Sequence, residues 1–186
     1  MTMEEREQVP LEKVNVVGSG ELHVEVDLEQ LCSDLGSIAE YEAGQSAVFI
    51  RPTDIQGLVM IYRTGKYIVR GGESFENLER VNEFLLHHLR ELGVISDDAD
   101  ISLKIRNIVF VGDLEMDIIL EQLALELGLE NTEFEPEQFP GLIYRPPKFE
   151  CVLLVFGSGK IVITGSADED EAERVFGYLK EQVEGN

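Results

Sequence analysis

Few spacings in this 186-residue chain could carry covalent chemistry. Gly18-Ser19-Gly20 follows an apolar run and suggests a dinucleotide loop, in which glycines let the backbone approach a pyrophosphate. His23 occupies the third glycine position and no β-α-β unit follows, so a plain turn is expected. Gly157-Ser158-Gly159-Lys160 echoes a phosphate-cradling loop, but Leu154 stands where its first glycine belongs and Ile161 replaces the Ser or Thr. A hairpin turn fits better. His87-His88 lies on a helical pattern without a ligand set at metal spacing. Carboxylate pairs abound, yet among 37 acids a pair says almost nothing about acid–base work. No nucleophile–base constellation is recognisable. The expectation is a non-catalytic recognition protein without metal or cofactor.

The elements that would position such a recognition surface are announced by an internal repeat. Leu28-Glu29-Gln30-Leu31 recurs as Leu120-Glu121-Gln122-Leu123, and Asn15-x-Val17 as Asn107-x-Val109, both 92 positions on. Further along the offset is 94, linking Arg51 to Arg145 and Gly65-Lys66 to Gly159-Lys160. A solenoid would show at least three copies at roughly 20–50 residues. Two long copies instead predict two similar half-domains, suited to a quasi-symmetric partner such as duplex DNA.

Each half reads in the same order. The first has a strand at 13–17, a helix capped by Asp27 and ending at Leu35, strands at 47–51, 57–62 and 66–70, and an amphipathic helix at 73–92. The second has strands at 103–109, 131–135, 142–145, 151–156 and 160–164, with helices at 115–127 and 167–183. This is an α+β pattern with antiparallel strands. The predicted organisation is an acidic leader at 1–11, repeats at 12–95 and 102–186, and a linker at 96–101. Helices should cover one face of each sheet only. The other face is nonetheless apolar, since Val152, Leu154 and Phe156 alternate with Leu153 and Val155, which predicts burial on both sides once the functional complex forms.

Composition bounds the setting. Thirty-seven acids against 15 bases give a net charge of −22, spread along the chain as in proteins kept hydrated in concentrated salt. Apolar runs are too short to span a bilayer, the N-terminus lacks a signal-like apolar region, and Cys32 and Cys151 read as reduced thiols. A cytoplasmic protein is expected, with no membrane partner.

Glu135-Pro136-Glu137-Gln138-Phe139-Pro140-Gly141-Leu142-Ile143-Tyr144-Arg145, and then Val152 to Gly165, resemble the second repeat of the TATA-box-binding protein family. With Ile105-Arg106-Asn107-Ile108-Val109, the likeness spans nearly the whole second half, and the acidity is similar to that of its halophilic archaeal members. The resemblance implies two pseudo-symmetric repeats forming one saddle-shaped antiparallel sheet, with helices on the convex face and the concave face on the DNA minor groove; this family is itself the standard example of such binding. It also implies a non-enzymatic transcription initiation factor that bends A/T-rich promoter DNA and recruits transcription factor B and, indirectly, RNA polymerase.

Carried over by position, Phe139 and Phe156 would wedge into a base step. Asn107, beside Val109, would reach groove acceptors; Leu154, Val162 and Thr164 would contact base edges and sugars; Arg145 and Lys160 would meet phosphates. Glu135, Glu137 and Gln138 would receive transcription factor B. In the first half Asn15, Val17, Arg51, Lys66 and Ile68 match, with Tyr62 in place of the second wedge aromatic and Met60 in place of a leucine. The first wedge phenylalanine is missing: alignment from the helix side puts Ser46 there, and alignment back from Arg51 puts Gln45. Arg70 replaces the residue matched by Thr164. An altered first repeat leaves a second reading open, a divergent paralogue with weakened DNA binding that acts mainly through protein contacts. An accessory domain of an enzyme is a third, disfavoured because no catalytic domain is attached. Without DNA, the apolar face is open to self-association.

Overall fold

The computed structural model describes residues 11–185, so the leader expected at 1–11 lies outside them except for Leu11. The chain divides into two compact units, one of residues 14–107 and the other of residues 108–185 with 11–13. In the first, β1 (Glu12–Glu21), α1 (Leu28–Leu35), β2 (Ala39–Glu40), β3 (Ala47–Ile50), β4 (Leu58–Tyr62), β5 (Lys66–Arg70) and α2 (Phe75–Glu91) follow in order. The second has most of β6 (Lys104–Asp113), whose first four residues belong to the first unit, then α3 (Leu120–Leu127), β7 (Thr132–Glu133), β8 (Gly141–Tyr144), β9 (Val152–Phe156), β10 (Lys160–Ser166) and α4 (Glu169–Glu184). Spatial order is β2-β3-β4-β5-β1 in one unit and β6-β10-β9-β8-β7 in the other, with the paired strands antiparallel.

Each sheet buries one face against its long helix. Val59, Ile61 and Val69 are fully buried with Leu78, Val81 and Leu89 of α2. In the other unit Leu153, Val155 and Ile161 are buried with Val175, Phe176 and Leu179 of α4. Removing such side chains from water contributes about 1.5–3 kcal/mol each. Helix starts are set by capping: Asp27 accepts from the Gln30 amide at 3.1 Å, and Ser74 from the Asn77 amide at 3.1 Å.

Four details differ from the sequence reading. Gly18-Ser19-Gly20 is no turn but part of β1. Its glycines serve close approach, because a Cβ on Gly20 would lie 2.3 Å from the Tyr67 ring. Helix α3 starts at Leu120 rather than residue 115, since the Leu114 and Ile118 amides donate to Gly159 and Gly157 carbonyls and Glu115 has φ 57°. The strand expected at 131–135 shrinks to two residues behind a 3-10 turn. Its first-half counterpart, β2, went unforeseen.

Candidate nucleic-acid interface

The helix-free face of each unit takes every second residue of its strands. In the first unit it carries Asn15, Val17 and Ser19 from β1, Ile68 between the exposed ends Lys66 and Arg70 from β5, Met60 and Tyr62 from β4, and Phe49 from β3. Register aligns Phe49, Met60, Ile68 and Ser19 in one cross-strand row. The second unit repeats the row as Ile143, Leu154, Val162 and Val111. Val109, Thr164 and Phe156 stand on the same face, and Lys160 is exposed at its edge. Asn107 is half-buried on β6. In the chain by itself these apolar side chains are half-buried, whereas their alternate neighbours are fully buried; the second face was expected to be covered only in the complex. Phe49, Ile143 and Val111 were missed by sequence reasoning. The same period-two alternation and the 94-residue offset between Phe49 and Ile143 would have found them.

The two rings expected to act as a wedge are brought together in the second unit. The Gln138 and Phe139 amides both donate to the Glu135 carbonyl, closing a turn that holds Phe139 against Phe156, ring centroids 5.8 Å apart and 64° tilted. Gly141 lies opposite Phe156 in register, and a Cβ there would come within 2.8 Å of Phe139 and 3.1 Å of Phe156. Glycine makes room for the rings. Glu135, Glu137 and Gln138 form the exposed tip of that turn.

The first unit explains why two alignments disagreed about the missing phenylalanine. The Gln45 amide donates to Glu42 as Gln138 does to Glu135, an offset of 93. Ala47 faces Tyr62 as Gly141 faces Phe156, an offset of 94. The connection in between is one residue shorter, so Ser46 alone spans what Phe139-Pro140 spans in the second half. With no second ring to accommodate, alanine occupies the glycine position.

Tyr62 and Ser46 instead edge a hollow of about 700 Å³, whose lining also includes Arg63, Lys66, Lys104 and Arg106. The two arginines expected to meet phosphates are held by carboxylates: Arg51 donates to Glu40 at 2.7 Å, and Arg145 pairs with Glu133 at 3.2 Å. Both pairs are exposed and repeat-related. Elsewhere in the core, burial pushes the Tyr67 hydroxyl up to about 12, and it donates to Asn82 at 2.9 Å. Among the described residues no group of His, Cys, Asp and Glu is placed to hold a metal ion, and no helix is long and apolar enough to cross a membrane.

Comparison with known proteins places this arrangement. The family model described as "Transcription factor TFIID (or TATA-binding protein, TBP)" matches residues 11–92 and again 102–184. TATA-box-binding protein C of Halobacterium salinarum is 43% identical over 176 residues, covering 94% of this chain and 97% of that protein. The TATA-box-binding protein of Thermoplasma volcanium is 39% identical over 184 residues, covering 98% and 97%. The solved structure of the Methanococcus jannaschii protein superimposes with a TM-score of 0.80 at 34% identity, covering 95% of this chain and 99% of that one.

Proposed function

The chain belongs to the TATA-box-binding protein family, a family of transcription factors rather than enzymes, and on that premise we propose that it is an archaeal general initiation factor acting in the cytoplasm. It binds the minor groove of A/T-rich promoter DNA, bends it, and recruits transcription factor B and through it RNA polymerase. The observation that carries this reading is the helix-free face, apolar and half-exposed in both units, where a sheet meeting only water would be polar.

The mechanism follows from size. Four strands spaced about 4.8 Å apart make a row roughly 14 Å wide, against a minor groove about 6 Å wide in B-form DNA. The groove must be pried open to receive it. Opening is easiest at deformable A/T-rich steps, and Phe139 with Phe156 holds one step apart. Asn15 and Asn107 supply amides for groove acceptors, and Val17, Met60, Ile68, Val109, Leu154, Val162 and Thr164 supply the contact surface. Lys66 and Lys160 take phosphates, as do Arg51 and Arg145 once they leave their carboxylates. Transcription factor B docks at the tip formed by Glu135, Glu137 and Gln138. Because apolar burial survives high salt while counterion release does not, so acidic a protein can hold DNA in molar KCl.

The shortened connection at Ser46 favours one competing reading, a paralogue that engages DNA only with its partner. Fluorescence anisotropy of a labelled TATA duplex in molar KCl tests both, with a scrambled duplex and added transcription factor B as arms. Selective binding by the protein alone is expected. Binding only with the partner would favour the paralogue, and none in either arm would sink the DNA reading. Without DNA the same face is available for self-association.

A further inference from the structure

We infer that the hollow in the first unit is a phosphate site that grips the sugar-phosphate backbone of the bound duplex, an inference that rests on the DNA-binding reading above. Arg63, Lys66, Lys104 and Arg106 line it, all four exposed, with Glu21 and Asp100 as its acids. Four bases around one concavity are a large share of the 15 in a chain of net charge −22. None of the four forms an ion pair among the described residues, unlike Arg51 and Arg145. Arg106 donates its Nε to Ser19 Oγ at 2.7 Å, which fixes the guanidinium while leaving its terminal nitrogens for a ligand. A fixed guanidinium fork matches phosphate oxygens.

The repeat supplies a control. The positions related to Arg63, Lys66, Lys104 and Arg106 are Gly157, Lys160, Glu12 and Val14. Only one base remains there. The compact unit without a wedge phenylalanine, completed by the first residues of β6, is the one that gathered positive charge, and the absent ring is what would have stood beside Tyr62 at the edge of the hollow. One half therefore holds the duplex by an apolar wedge and the other by charge.

The test uses the full chain and a labelled TATA duplex, with affinity measured from 0.3 to 3 M KCl. Every phosphate that the protein neutralises adds about 0.9 to the steepness of log affinity against log salt. Arg63→Gln with Arg106→Gln is expected to bind about 60-fold more weakly at 0.3 M KCl and equally at 3 M. Arg63→Lys with Arg106→Lys should keep most of the original slope. Identical slopes for the unaltered chain and the glutamine variant, with TATA selectivity intact, would overturn the site and leave the DNA reading standing. Absence of selective binding by the unaltered chain would bring down both. Calorimetric titration with sodium phosphate separates the two sources of phosphate. A binding heat that disappears in the glutamine variant while the duplex slopes coincide would assign the hollow to a free anion and overturn the backbone assignment. A substitution-free arm labels arginines with phenylglyoxal. Protection of Arg63 and Arg106 by the duplex is expected, and unchanged labelling would count against the site.

Discussion

At the scale of single residues, the two halves differ most where a ring meets a glycine. Gly141 exists to let Phe139 lie against Phe156, and a methyl group there would sit 2.8 Å from the first ring. Gly141→Ala should therefore splay the wedge, at about 1 kcal/mol or less because the rings are half-exposed and can yield. The DNA bend, read by energy transfer between labelled duplex ends, is expected to fall while the protein stays folded. Conversely, replacing Ser46 by Phe-Pro together with Ala47→Gly should raise the bend. A single phenylalanine at Gln45 or Ser46 should not, because the connection stays one residue short. An unchanged bend in both series would show that the wedge does not set the deformation. Phe139 and Phe156 were legible in the sequence through their motif. That the first half is shorter was legible as well, in an offset growing from 92 to 94; where it is shorter was not, and hydrogen-bond register placed one of the two residues between Gln45 and Ala47.

At the scale of elements, the glycines of the long strands show what pattern reading misses. Gly-Ser-Gly reads as a turn from local preference, yet in β1 it runs straight, because Gly20 is where the Tyr67 ring packs. Gly112, 92 positions on, plays the same part against Phe176, where a Cβ would lie 2.4 Å from the ring. That is a tertiary contact, invisible to any local window. Gly20→Ala should overpack a buried aromatic and cost about 1–3 kcal/mol, read as a shift in the urea midpoint. Tyr67→Phe should cost about 1–3 kcal/mol by leaving Asn82 without its donor. A Gly20→Ala midpoint matching the unaltered chain would mean that the ring relocates freely. The meander strands and both long helices were read correctly because their periodicity is carried by many residues at once. Helix α3 was drawn too long because the amides of Leu114 and Ile118 are claimed by the carbonyls of Gly159 and Gly157, far along the chain.

For the whole molecule, charge is the dominant quantity. With a net charge of −22 on 186 residues, self-repulsion opposes compactness. Screening shortens its reach from about 10 Å at 0.1 M salt to about 3 Å at 1 M. The melting temperature followed by circular dichroism should rise steeply between 0.1 and 2 M KCl, and a flat profile would exclude repulsion as the limiting term. The charge was fully legible in the sequence, but its placement was not. Glu40 sits on Arg51 and Glu133 on Arg145, each carboxylate supplied by the short strand beside its arginine. These tethered anions are resident competitors, present at the high effective concentration that covalent linkage confers. A lone nucleotide must displace one at full cost and regains little. A polymer whose phosphates arrive already joined recovers that cost over many contacts, so on the proposed reading the acidic edge strands would discriminate by valency, favouring polynucleotides over small phosphates.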